Sequence, residues 1–287
     1  MKPWALVPLL ALTQLATAED AAFDSNGVKI RYVSEGTGDP IVLIHGWMGD
    51  ATTWGKDPAG NPKPTPPPGF QVIAMDCRGH GQSDKPHDKA AYGAEMAEDV
   101  ARLLDHLKIK KAHVIGYSMG TFIAAKFAAT HPDRVKSLIY GGQAPLLTGE
   151  AGSREIEVFA KAVADGKGLG SYILEVSPPD RPKPTPAQAD AYANYMFKGK
   201  DVAAFAAAGL SFNQLEVTLP QLQKCAVPTL YIYGSKESKN LHDRVENLKK
   251  GLPKSEVKVI EGADHMTTLI NPEFGAAIVK FLLMSKQ

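Results

Sequence analysis

The segment Gly116-Tyr117-Ser118-Met119-Gly120 follows the apolar run Ala112-His113-Val114-Ile115 and precedes a helix-like stretch. This is the Gly-x-Ser-x-Gly elbow, in which a strand turns sharply into a helix and presents a hydroxyl at the turn. The turn holds Ser118 in a strained backbone conformation, and the flanking glycines keep side chains out of the crossing. A serine so presented needs a base. His265 is the candidate, because it stands late in the chain, after the last predicted strand and before the closing helix. Of the other histidines, His45, His80, His106, His113, His131 and His242 lack that placement, and His87 sits in a loop with no acid partner implied. Glu237, just past the strand that ends Tyr233-Gly234, is the predicted orienting acid. Asp264 adjoins His265 too closely to face its ring, and Asp243 lies further into a helix. A carboxylate at Glu237 would hold the imidazole in the tautomer that accepts the serine proton and stabilise the imidazolium that follows.

A developing oxyanion also needs donors. The backbone N–H groups of Trp47, in His45-Gly46-Trp47, and of Met119, at the positive N-terminal end of the helix after Ser118, are the predicted pair. The Trp47 side chain either lines an acyl pocket or packs in the core; the sequence allows both. These parts together make a nucleophilic acyl-transfer site with no metal and no organic cofactor.

The elements that must position them are short apolar runs: Ile41–Ile44, Gln71–Met75, Ala112–Ile115, Val135–Tyr140, Thr229–Tyr233 and Val257–Ile260. Runs apolar nearly throughout suit parallel strands covered on both faces. Between them Met96, Val100, Leu103, Leu104 and Leu107 recur at helical spacing, as do Phe274, Ile278, Phe281 and Leu282. The alternation predicts an α/β fold with a mostly parallel, doubly wound sheet, led by an antiparallel edge near Lys29–Val33. It stops after Gly141-Gly142 and resumes near Val227, so 145–219 is predicted to be an inserted helical cap and 19–144 with 220–287 the core. The cap aromatics Phe159, Tyr172, Tyr192, Tyr195, Phe197, Phe205 and Phe212 either form an apolar acyl site or pack among themselves. Two proline-rich loops, 61–69 and 178–186, read as stiff connections or as the rim of a pocket entrance.

The 287 residues carry 32 Lys+Arg against 31 Asp+Glu, a balance that gives no electrostatic reason to expect nucleic acid or an anionic membrane surface. A small-molecule substrate is expected instead. Lys2 ahead of the apolar stretch Ala5–Ala16, ending Ala16-Thr17-Ala18, reads as a signal peptide over 1–18, cleaved before Glu19. The stretch is well short of the roughly 20 residues needed to span a bilayer. A secreted or periplasmic protein with no membrane span in its mature form is the expectation; its oligomeric state is not legible. Cys77 and Cys225 fall at opposite ends of the predicted sheet, which favours two buried thiols over a disulfide.

The ordered motifs resemble the α/β-hydrolase fold superfamily, in particular its cap-bearing serine hydrolase branch. They are the elbow, His45-Gly46-Trp47, the turn Asp76-Cys77-Arg78-Gly79-His80-Gly81-Gln82-Ser83, Ala97-Glu98-Asp99-Val100, Val227-Pro228-Thr229-Leu230 with Gly234, and Gly262-Ala263-Asp264-His265. The resemblance covers nearly all of the chain between the signal peptide and the end, outside the cap. It implies that the Asp76–Ser83 turn is architectural, and that serine rather than aspartate at the elbow separates this chain from the epoxide hydrolases and haloalkane dehalogenases. Glu237 stands where the family usually has aspartate, and Tyr117 and Thr121 replace the commoner histidine and glycine. The implied activity is hydrolysis of a small-molecule carboxylic ester. C–C bond hydrolysis, thioester cleavage and perhydrolysis with the same triad are the alternatives within enzymes, and a non-catalytic binding protein on a hydrolase scaffold is the alternative outside them.

Overall fold

A computed structural model describes residues 19–150, 154–177 and 182–285. The predicted signal peptide, 1–18, lies outside them. The strands are β1 (Glu19–Ser25), β2 (Val28–Gly36), β3 (Asp39–Ile44), β4 (Phe70–Met75), β5 (Ala112–Tyr117), β6 (Val135–Gly141), β7 (Thr229–Gly234) and β8 (Ser255–Ile260). They form one 8-stranded sheet in the order β1-β2-β4-β3-β5-β6-β7-β8. β1 and β2 run antiparallel and β2 is antiparallel to β4, whereas every pairing from β4 onward is parallel. Every residue of β5 and of β7 is buried, as strands covered on both faces require. β8, at the open edge, instead carries the charged Glu256 and Lys258, which discourage pairing with a further strand.

The helices are α1 (Ala94–His106), α2 (Met119–Thr130), α3 (Arg154–Asp165), α4 (Gly170–Val176), α5 (Pro186–Met196), α6 (Val202–Leu210), α7 (Leu219–Lys224), α8 (Lys239–Gly251), α9 (His265–Ile270) and α10 (Pro272–Met284). One core layer joins the sheet to α1, α2, α7 and α8 through Met96, Val100, Phe127, Leu222 and Val245. The other packs Phe274, Phe281 and Leu282 of α10 against Ile41, Ile115 and Ile232. The apolar spacing read from the sequence therefore gives the buried faces of α1 and α10 directly.

The helices α3–α6 lie between β6 and β7, in the stretch expected to be inserted, and have a small apolar core of their own. Phe159 meets Tyr172 edge-on with ring centroids 5.0 Å apart and Phe197 at 5.6 Å. The two ends of the insertion are held together by a parallel bridge between Leu147 and Val217, with Val217 N–H donating to Leu146 at 2.8 Å and Thr148 N–H to Val217 at 3.0 Å.

The turn after β4 is held by buried charge. Asp76 accepts from Ala51 N–H at 2.7 Å and Gln82 N–H at 2.8 Å, and Ser83 Oγ donates back to the Asp76 carbonyl at 2.6 Å. Arg78 donates in bidentate fashion to Asp99 of α1 at 2.6 and 2.7 Å. Cys77 and Cys225 are both buried and free.

Candidate active site

Ser118 occupies the single residue between β5 and α2, with φ 54° and ψ −117°. A non-glycine residue at positive φ costs on the order of 1–3 kcal/mol, so the surroundings must hold it there. They do so through close backbone crossings that only glycine permits. A Cβ on Gly116 would lie 2.1 Å from the Gly120 carbonyl oxygen, and one on Gly120 would lie 2.1 Å from that of Ile44. Ser118 N–H donates to Gly141 at 2.9 Å, which ties the elbow to the end of β6. Thr121, read above as replacing a commoner glycine, is fully buried and donates from Oγ1 to Gly116 at 3.1 Å. The larger side chain thus reinforces the turn.

His265 opens α9. Asp264, the residue before it, caps that helix by accepting from Met266 N–H and Thr267 N–H at 3.1 and 2.8 Å, so its carboxylate is spent on the backbone. The carboxylate that meets the ring belongs to Glu237, whose Oε1 accepts from His265 Nδ1 at 2.9 Å. On the other side of the ring Ser118 Oγ donates to His265 Nε2 at 3.1 Å. The loops carrying the acid and the histidine are themselves joined, because Lys236 N–H donates to Ala263 at 2.9 Å and Ser235 N–H to Ile260 at 2.9 Å. Gly234 makes that approach possible, since a Cβ there would lie 2.1 Å from the Ala263 carbonyl oxygen. Asp243 is elsewhere, in an exposed pair with Lys239.

Burial disfavours the charged form of His265, but the hydrogen bond and negative charge of Glu237 outweigh it and hold the ring's pKa above the ordinary 6.5. The charges of Glu155 and Asp264 add in the same direction. Tyr117, in place of the commoner histidine, donates its hydroxyl to the backbone carbonyl of His265 and sets its ring 5.5 Å from the imidazole. Nothing in the motif announced this support for the histidine.

Gly46 lies against the elbow, where an added Cβ would be 3.2 Å from that of Ser118. The residue behind this loop is His45, fully buried, which donates from Nδ1 to Gly46 at 2.7 Å and accepts Cys77 N–H on Nε2 at 3.0 Å. Burial lowers its pKa and keeps it neutral, as both bonds require. Trp47 and Met119, the predicted donors, line the same cleft as Ser118. Met119 begins α2, and first-turn N–H groups have no partner within their own helix.

The cleft above Ser118 has a volume of about 330 Å³. Trp47 lines the cleft and is also packed: it donates Nε1–H to Phe205 of α6 at 2.9 Å and meets Phe159 and Phe212 edge-on. Of the cap aromatics only Phe212 lines the cleft. Phe159, Tyr172 and Phe197 are consumed by the cap core, and Tyr192 and Tyr195 are 53% and 82% exposed. Gln143, after β6, and Glu155, on α3, also line it and were not foreseen. Gln143 was findable, because it follows a strand whose end abuts the elbow; one glutamate on an amphipathic cap helix carries no such mark. His87 departs from expectation as well, meeting Asp201, the residue that caps α6, at 3.0 Å.

A family model for the alpha/beta hydrolase fold matches residues 39–163. The chain has the α/β-hydrolase fold, with a mostly parallel sheet and a helical insertion over its strand ends. It is 27% identical over 270 residues to a Bacillus subtilis (strain 168) protein provisionally named a 2-succinyl-6-hydroxy-2,4-cyclohexadiene-1-carboxylate synthase, covering 90% of this chain and 96% of that one. It is 34% identical to the 2-hydroxy-6-oxononadienedioate/2-hydroxy-6-oxononatrienedioate hydrolase of Burkholderia vietnamiensis (strain G4 / LMG 22486), over 45% of this chain and 46% of that one. Among solved structures, one from a study of carboxylesterases of Nitrososphaera gargenis superposes with a TM-score of 0.74 at 24% identity, covering 93% of this chain and 99% of the other. No helix among the described residues is long and apolar enough to cross a membrane.

Proposed function

We propose that this chain is a serine hydrolase that cleaves small-molecule carboxylic esters. The observation that carries the reading is the unbroken line Ser118 Oγ, His265 Nε2, His265 Nδ1, Glu237 Oε1, with spacings of 3.1 and 2.9 Å, on the floor of a cleft. Ser118 Oγ attacks the carbonyl carbon as His265 Nε2 takes its proton, and Glu237 stabilises the resulting imidazolium. The oxyanion is received by the N–H groups of Trp47 and Met119. The imidazolium then protonates the departing alcohol, leaving an acyl group on Ser118. A water molecule, deprotonated by the same imidazole, attacks that acyl group and restores the serine.

The same residues would serve C–C, thioester or peracid chemistry. The relative from Burkholderia is named for dianionic substrates, and against such a substrate here stands the cleft wall, which among the described residues holds Glu155 and no lysine or arginine. That favours an ester without carboxylate groups. A binding protein on a disabled scaffold would have no reason to keep the serine and its base aligned. Export through removal of residues 1–18 belongs to the same proposal, supported by the single basic residue and short apolar run at the start of the chain.

The test is labelling of the folded protein by a fluorophosphonate, followed by peptide mapping. Ser118 is the expected site; labelling elsewhere, or none, would remove the proposal. In parallel, Ser118→Ala is expected to lose ester turnover by roughly 10⁴- to 10⁶-fold while keeping its fold, read by circular dichroism.

A further inference from the structure

The wall of the cleft that holds the nucleophile contains a carboxylate that the proposed chemistry does not use. Glu155, near the start of α3, lines the cleft with Ser118 and His265, and its charge is felt by the His265 ring. Its side chain is fixed, because Tyr172 donates its hydroxyl to Glu155 Oε1 at 2.8 Å. Its charge is not neutralised nearby. Among the described residues Glu155 makes no ion pair, and the adjacent Arg154 turns to Glu175 instead. Glu237, the other acid of the cleft, is 10% exposed and already bonded to His265. The remaining walls include Trp47, Phe122, Ile156 and Phe212.

Within about 330 Å³, a substrate seated on Ser118 therefore meets apolar surface and one unpaired negative charge. An anionic group would be repelled with no counter-charge to receive it. A neutral group would gain only contact. A positive charge would gain a Coulomb interaction, and an alkylammonium group loses little hydration when it meets aromatic walls.

We propose that the cleft selects substrates bearing a cationic group remote from the scissile carbonyl, with Glu155 as the selecting residue. This rests on reading the Ser118 cleft as the substrate site. Because Glu155 is exposed, the preference is modest and sensitive to salt.

The experiment compares two esters of nearly equal shape, butyrylcholine and 3,3-dimethylbutyl butyrate, which differ by a quaternary nitrogen in place of a carbon. Their dissociation constants for the full-length Ser118→Ala protein are measured by tryptophan fluorescence at about pH 9, above the imidazole range. The cation is expected to bind roughly fivefold more tightly, as for an exposed ion pair. The ratio should fall toward one in Glu155→Gln, persist in Glu155→Asp, reverse in Glu155→Lys, and shrink as salt rises from about 0.02 to about 0.5 M. Equal binding of the two esters by the parent, or a ratio unmoved by Glu155→Gln, would overturn the proposal; the salt series reads the charge effect even if a substituted protein fails to fold. Fluorophosphonate labelling of Ser118 is scored separately. A labelled Ser118 with a ratio of one refutes the charge preference alone, whereas an unlabelled Ser118 with a ratio of five refutes the catalytic reading alone.

Discussion

The reactivity proposed for Ser118 depends on the protonation of a ring 3.1 Å away, and this fixes the direction of its pH dependence. The folded-state pKa of His265 is raised above 6.5, so the ring becomes progressively protonated, and unable to accept the serine proton, as pH falls through that raised value. Turnover is expected to fall as pH drops through it, giving an acid limb in kcat/KM centred above 6.5. In Glu237→Gln burial is left without its main opponent, so the limb should move to lower pH while the plateau drops by about 10³- to 10⁴-fold through loss of the correct tautomer. A plateau loss in Asp243→Asn larger than in Glu237→Gln would reverse the assignment of the acid. Tyr117→Phe removes the hydroxyl that holds the His265 carbonyl and is expected to lower kcat by about tenfold with KM little changed. These residues were legible for different reasons. Ser118 announces itself through glycines that the crossing demands, and His265 and Glu237 through their places after strands. Tyr117 was visible as a departure from the common pattern, but the carbonyl it reaches is 148 positions away and leaves no local trace.

Elements bring these side chains together, and the turn after β4 shows how. Its motif was read as architectural, and the bonds from Asp76 and Arg78 give that reading physical content. Asp99→Ala would leave the buried Arg78 guanidinium with only the more distant carboxylate of Glu95, at 3.9 Å, as a counter-charge, at a cost of about 3 kcal/mol measured by urea denaturation. His45→Ala leaves the buried Cys77 N–H without an acceptor and loosens the loop bearing Trp47; a loss of about 1–3 kcal/mol is expected, together with a fall in kcat. An unchanged denaturation midpoint for either variant would contradict the bonding described. Strand positions were readable because near-continuous apolar runs report burial on both faces. The allocation of cap aromatics was not: nothing in the residue types of Phe159 and Phe212 tells them apart, and only the packing of the insertion decides that one is enclosed and the other lines the cleft with Ser118.

At the scale of the molecule, the two thiols lie at opposite ends of the sheet, Cys77 after β4 and Cys225 before β7. Burial raises both pKa values, that of Cys225 to about 11, so neither is a thiolate near neutrality. The native protein should therefore react slowly with Ellman's reagent at about pH 8 and yield both thiols once unfolded. Fast native reaction of either would contradict the packing. The export expectation is checked by sequencing the N-terminus of material secreted from an expressing bacterium, with Glu19 the expected first residue.

The cap encloses an apolar core of its own and meets the remainder through the Leu147–Val217 neck, the Trp47 contacts, and Ala207 and Ala208 of α6, which pack within the core of the sheet. Helices α4 and α5, whose buried apolar side chains lie in that cap core, can therefore vary with little disturbance of the sheet. Sequence drift inside α4 and α5 could exchange one clientele of substrates of the proposed enzyme for another, through the bond from Tyr172 to Glu155, while the elbow, its base and its acid keep their geometry. A small reagent that reacts at Ser118 without touching the cap would then serve as a constant across a diversified library, against which changes in substrate preference are read.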